Sequence, residues 1–166
     1  MYRLILAALL LASCAQAPTV TVGRYRAETT PIYSSAVLDS KRLAGRWQQV
    51  AAFGPETGCN AGVVNIAQTK AGLQANYRLC LSGTETKGAA VMQPDGPGRF
   101  ALKGQPGPWW VLWADADYRT LVIGTPSGRL GFILNRDGAL PPDRLAAARE
   151  ILDWNGYDLT RLQVWP

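Results

Sequence analysis

"WWVLWADADYRTLVIGTPSGRLGFILNR", residues 109–136, contains three apolar runs of strand length, "WWVLW" (109–113), "TLVIG" (120–124) and "LGFIL" (130–134). Between the last two, "TPSG" (125–128) puts Pro and Gly at the second and fourth positions of a type I turn. None of the three runs alternates between apolar and polar residues, so each needs cover on both faces. One cover is an interior; the other must be a packed element, and the following residues supply it. In "PPDRLAAAREILDWNG" (141–156), Pro142 suits a first helical turn, Asp143 complements the helix dipole and Asn155-Gly156 provides the stop. Leu145, Ala148 and Leu152, with Ile151 at the edge, form one stripe at helical spacing. The helix therefore packs on the sheet wall, and "LTRLQVWP" (159–166) returns as a short ninth strand.

Reading back from this block, short apolar or alternating segments recur at the spacing of an all-β sandwich or barrel. The expected strands are 45–54, 60–68, 72–81, 86–92, 98–103, 109–115, 119–125 and 129–135. Their short connections, such as "QPDGPG" (93–98), imply an up-and-down meander. "GLQANYRL" (72–79) alternates Leu73, Ala75, Tyr77 and Leu79 with polar residues, as expected of a strand with one wet face. Before the first strand, "LDSKRLAG" (38–45) reads as one helical turn capped by Asp39 or Ser40 and ended by Gly45. The expected fold is all-β: an eight-stranded antiparallel up-and-down barrel with a C-terminal helix on its wall.

The amino terminus has a different character. "MYRLILAALLLASCAQA" runs from a basic residue, Arg3, through an apolar stretch to small residues, the layout of a secretory signal peptide. "LASC" (11–14) resembles the bacterial lipobox, which implies diacylation of Cys14 and cleavage just before it; cleavage after Ala17 is the alternative. The boundaries that follow are a lipoprotein signal peptide at 1–13, a lipidated Cys14 with a flexible tether at 14–38, and a barrel with its helix at 39–166. Three cysteines in an exported chain leave one unpaired, and lipidation of Cys14 accounts for it. Cys59 and Cys80 flank the turn "QTKAG" (68–72) almost symmetrically, which suits a disulfide between opposed strands.

Charge and residue types narrow the function. Net charge is +5, or +4 once Arg3 leaves with the leader, but the cations are scattered and do not interleave with aromatics, so no nucleic-acid partner is expected. The chain has no histidine, which removes the usual Ser-His and Cys-His arrangements and most zinc sites. Asp115 and Asp117 are two residues apart at a turn, where they shape the loop rather than run acid/base chemistry. No catalytic residue, metal site or cofactor is expected, and the protein is not read as an enzyme. Arg78 and Arg99 are read as surface charges, with a ligand carboxylate or phosphate as their alternative partner.

From about residue 39 to 166 the chain resembles the lipocalins, and with its LASC box it is most similar to bacterial outer-membrane lipoprotein lipocalins. The likeness rests on "GRW" (45–47), "DADYRTLVIG" (115–124) with its Asp117-Tyr118 turn motif, and "LGFILNR" (130–136), in that order. Ala116 stands where the family's Thr precedes Asp-Tyr. The resemblance implies a calyx whose floor is Gly45, Trp47 and Arg136, with the guanidinium laid over the indole. It also implies a small hydrophobic ligand, a fatty acid or lysophospholipid such as a palmitate-bearing one, bound against Tyr77, Trp110 and Phe132. Ala15 after the lipidated cysteine implies the outer membrane, with the barrel facing the periplasm. A tethered structural or protein-interaction lipoprotein, its barrel filled by side chains, is the competing expectation. Oligomeric state is not legible here.

Overall fold

Eight antiparallel strands bond edge to edge into a closed ring in a computed structural model that describes residues 23–55, 58–105 and 107–166. They are β1 (Gly45–Phe53), β2 (Val63–Thr69), β3 (Gly72–Leu81), β4 (Thr84–Pro94), β5 (Arg99–Leu102), β6 (Trp109–Ala114), β7 (Thr120–Gly124) and β8 (Gly131–Asn135). Closure falls to β1. Its residues Gly45–Gln48 pair with β2, while Gln48–Ala52 pair with β8. Beyond the point where β2 parts from it, Ala51–Phe53 instead bond β9 (Leu162–Val164), which lies outside the ring. The helix α1 spans Pro142–Trp154, with Asp143 in its first turn.

The ring separates two apolar clusters. Inside are Trp47, Val64, Ile66, Leu73, Tyr77, Leu79, Met92, Trp109 and Phe132 among others. Outside, Ala148 and Leu152 of α1 are fully buried against Val50, Phe53, Leu112, Val122 and Ile133, with Leu145 and Ile151 at the margin. The unalternating runs of β6 to β8 are thus explained, since each of these strands faces the interior on one side and α1 on the other.

Two register shifts adjust this division, one in β1 between Gln49 and Ala51, the other in β6 between Val111 and Trp113. A bulge puts two consecutive residues on one face. Accordingly Val50 and Ala51, and likewise Leu112 and Trp113, all join the helix-side cluster.

The two ends of the barrel differ. The floor end carries the short 3-10 helix Ser40–Leu43, capped by the Asp39 side chain, and the β2–β3, β4–β5 and β6–β7 turns. The opposite end, here the mouth, carries the β1–β2, β3–β4, β5–β6 and β7–β8 connections. The expected disulfide joins Cys59 to Cys80 with Cα atoms 5.4 Å apart. It is not a pair of opposed strand residues, because β2 starts only at Val63 and Cys59 lies in the β1–β2 connection. The bridge therefore staples a mouth loop to β3; closing a loop of this size contributes about 3 kcal/mol in the chain-entropy model.

The expectation of a flexible tether through residue 38 needs correction from Gly23 onward. Tyr25, Arg26 and Ala27 are buried, and Arg26 bridges to Tyr157. The segment then runs as a strap down the outer wall, where the Ser35 amide donates to the carbonyl of Val111 at 2.8 Å. Residues 14–22 of the expected tether, and the signal peptide, lie outside the described residues.

Strap, wall and C-terminal segment meet at Tyr157. Its ring stacks on Phe53 at 4.9 Å, and Phe53 stacks on Tyr25 at 5.6 Å. Its hydroxyl donates to the carbonyl of Leu130 at 3.0 Å and accepts from the amide of Thr125 at 2.9 Å. Gly124 and Gly131 make room, since a Cβ at either would sit 2.6 or 2.8 Å from the Tyr157 side chain. Burial pushes this phenol up to about 12 from 10.0. The stabilisation of the neutral phenol is fully present below pH 10 and is lost as pH rises through about 12, because only the unfolded chain ionises in between. Tyr157→Phe is expected to be less stable than the parent at neutral pH, with the gap narrowing by about 3 kcal/mol as pH rises through this window. Urea unfolding from neutral to strongly alkaline pH checks this, and a gap independent of pH would refute it.

Candidate functional site

Alternation along β3 sends Leu73, Ala75, Tyr77 and Leu79 inward, as their burial beside exposed Asn76 and Arg78 confirms. Tyr77 pairs in register with Gly88 of β4, and a Cβ there would lie 2.5 Å from its hydroxyl oxygen. The glycine lets the ring lie flat along the inner wall. From there an aromatic series crosses the interior: Tyr77 to Trp109 at 5.2 Å, then Trp109 edge-on to Phe132 at 5.2 Å. Such tilted and edge contacts contribute about 0.5–1.5 kcal/mol each beyond area burial. The Tyr77 hydroxyl donates to Gln105 Oε1 at 2.9 Å, and burial pushes its phenol above the usual value.

Two of the three expected lining residues, Tyr77 and Phe132, face the interior; Trp110 does not. It sits on the outer side, packed against the helix-side cluster, with the Arg99 guanidinium 4.2 Å from its ring centroid. Trp109 takes the interior position. Two adjacent tryptophans in an unalternating strand carry no periodic signal, and a one-residue slip exchanges the faces. Arg99 also donates to Ser34 Oγ at 3.0 Å and so holds the strap, while Arg78 pairs with Glu85 at 3.1 Å on the outer surface.

At the floor end Trp47 is completely buried, and its indole N–H donates to the carbonyl of Leu43 at 2.8 Å. The Arg136 guanidinium lies 3.9 Å from the indole centroid. It also donates to the carbonyls of Arg42 (2.7 Å), Tyr118 (2.8 Å) and Ala44 (3.0 Å). Burial, then the nearby Arg42 charge, lowers its pKa from the usual arginine value, against the opposing pull of Asp137. Gly45, at φ +121°, allows the approach: a Cβ there would be 2.5 Å from Arg136 Nη1.

The turn motif contributes to the same floor. Tyr118 adopts φ +56°, and its hydroxyl accepts from the amide of Asp39 at 2.7 Å. The Arg42 guanidinium covers its ring at 4.1 Å, a contact with no sequence signal. Asp115 Oδ1 accepts from the amides of Arg119 and Thr120 at 2.7 and 2.5 Å, so this carboxylate shapes the loop. Asp117 is exposed at the turn. A hollow of about 570 Å³ opens at this end between Ser40 and the β2–β3 and β4–β5 hairpins. It reaches the inward-facing Leu73, Met92 and Phe100 without passing Trp47.

Cys14 lies outside the described residues, and among those described no group of three or more His, Cys, Asp or Glu is placed to hold a metal ion. Comparison with known proteins bears on the family and fold. The family model described as a lipocalin-like domain matches residues 38–166. No curated protein sequence matches the chain. Among solved structures, the siderocalin Ex-FABP is similar at TM-score 0.55 and 18% identity, over 75% of this chain and 94% of that one. The major allergen Per a 4 from cockroaches is similar at TM-score 0.60 and 12% identity, over 89% and 94% of the two chains. At these identities the likeness to both is one of fold.

The floor yields a quantitative expectation. Arg136→Ala removes the indole contact and three charge-assisted bonds to carbonyls, and should cost about 2–4 kcal/mol in urea unfolding. Arg136→Lys should recover less than half, since an ammonium cannot fork across three carbonyls and an indole at once. A cost below about 1 kcal/mol for the alanine variant would show that the floor is held by other contacts.

Proposed function

Because the chain belongs to the lipocalin-like family over residues 38–166, a fold that typically holds small hydrophobic molecules, we propose that it binds a fatty acid or lysophospholipid inside the barrel. In this reading it stores or carries the molecule without reacting on it. One observation carries the reading: the inward cluster runs through apolar side chains from Leu73 to Phe132, while the buried charged and amide side chains among the described residues, Arg26, Gln49, Asn135 and Asn155, make their hydrogen bonds outside it. An acyl chain gains about 0.8 kcal/mol per methylene buried in such a space, before the costs of association. A carboxylate or phosphate gains little there, since Arg136, which lies over Trp47, is already engaged by three carbonyls. The chain therefore enters tail first, its polar head remaining at the barrel end.

The same reading places the protein as a lipoprotein anchored through Cys14 in the outer membrane and facing the periplasm. It is supported by the apolar leader and by the "LASC" stretch at 11–14. The layer formed by Tyr77, Trp109 and Phe132 favours one competing reading, a tethered interaction module whose interior is already filled.

Titration of the purified protein with palmitate and with lysophosphatidylcholine, read by tryptophan fluorescence alongside native mass spectrometry, separates the two. Saturation at one equivalent, or a co-purified lipid, is the expected result. Ala90→Phe, placed on the inner face of β4, should weaken binding at least about tenfold at a folding cost of about 1–3 kcal/mol. An empty and unresponsive barrel would overturn ligand carriage in favour of the filled module.

A further inference from the structure

The strap begins at the mouth. The Tyr25 amide donates to the carbonyl of Gly128 in the β7–β8 turn at 2.7 Å, and the Ala27 amide to that of Gly156, just beyond α1, at 2.9 Å. Arg26 is only 3% exposed and serves as the clamp. It donates to the carbonyls of Asn155 (2.9 Å) and Pro126 (2.8 Å) and also to that of Thr30. The backbone is therefore held at the mouth rim from Tyr25 onward, and any extension toward residue 14 leaves from there.

Few residues separate that point from Cys14. Eleven peptide steps from Tyr25 to Cys14 span at most about 36–40 Å fully extended, against a root-mean-square reach of about 17–20 Å for a coil of that length. β3, at ten residues, is about 33 Å long and, at the usual barrel tilt, about 25 Å along the axis. A floor-first approach to a membrane holding Cys14 would need the connecting chain extended beyond that coil reach to run about 25 Å along the barrel. A mouth-first approach needs no stretching.

The rim has side chains suited to such a surface. Trp154, at the mouth end of α1, is 82% exposed. Arg129 in the β7–β8 turn and Lys103 in the β5–β6 connection are exposed, and neither forms an ion pair among the described residues. Among the described residues three carboxylates near the mouth are engaged, Glu85 by Arg78 and Lys87, Glu28 by Arg24 and Asp158 by the Thr160 amide and hydroxyl, while Asp153 beside Trp154 is exposed without an ion pair. Indole rings settle at the headgroup level of a bilayer, and unpaired cations favour anionic headgroups.

We propose that the mouth rim, through Trp154, Arg129 and Lys103, docks on the anionic lipid surface that holds Cys14, so that the mouth end of the barrel faces the bilayer and the floor end the surrounding water. This rests on the reading of Cys14 as the lipidated residue. The test uses the full mature chain in vesicles of phosphatidylcholine and phosphatidylglycerol containing a headgroup spin-labelled lipid. A fluorophore is attached through Ser127→Cys at the mouth or Lys70→Cys at the floor. Quenching at position 127 should exceed that at 70 at least fivefold, and the paired changes Arg129→Glu and Lys103→Glu should reduce the difference at least twofold. Equal quenching, or more at 70, with Cys14 shown by intact mass to be lipidated, would overturn the orientation alone. An unmodified Cys14 in the mature chain would overturn the anchor and the orientation together.

Discussion

Eight antiparallel strands leave two raw edges unless the first bonds the last, and in this protein β1 satisfies both neighbours by dividing its length between them. Its first residues complete the ladder of β2, its middle that of β8, and its end that of β9. With no free edge left in the ring, side-chain alternation has a defined inside. The inner cluster, the helix-covered wall and the distinction between floor and mouth all follow from that closure. Arg136 fastens it, since it leaves the end of β8 and reaches the carbonyls of Arg42 and Ala44 just ahead of β1.

The features most open to reading were those with a period or a turn chemistry. The eight strands, the helix stripe of Ala148 and Leu152 and the pairing of Cys59 with Cys80 are all present. Alternation in β3 gave Tyr77 its correct face. In β6 it could not, because "WWVLW" is apolar throughout; Trp109 rather than the expected Trp110 faces the interior, and a bulge between Val111 and Trp113 breaks the period further along. The bulge in β1 likewise turns Val50 and Ala51 to the same side, which no local pattern announces.

Other features were hidden because their partners are distant. "GRYRAETT" reads as linker, yet Arg26 is one of the most buried charges in the molecule, and its partners are backbone carbonyls rather than a carboxylate. Backbone oxygens leave no mark in the residue sequence. Gln49 is a second case: its buried amide accepts from the amides of Gly62 and Cys80 and donates to the carbonyl of Cys80, tying β1 to β3 beside the disulfide. Glycines mark some of these approaches, as Gly45 does beneath Arg136 and Gly88 beside Tyr77, but a glycine reports that something comes close without saying what.

The strap joins residues synthesised at opposite times. Arg26 grips Asn155, 129 residues later, and Asp158 bonds back to Tyr25. During synthesis the strap emerges before any strand, but the surface it occupies is not complete until α1 and Tyr157 have followed. Its own apolar residues must wait in water while the barrel assembles, and closing so long a loop is a slow, late event. Truncation after β8 would leave the barrel ladder formally intact while removing the seat of the chain's beginning. Asn155, Gly156 and Asp158 thus decide when the strap can settle, because it finds its place only after the segment that follows α1 has folded against the wall.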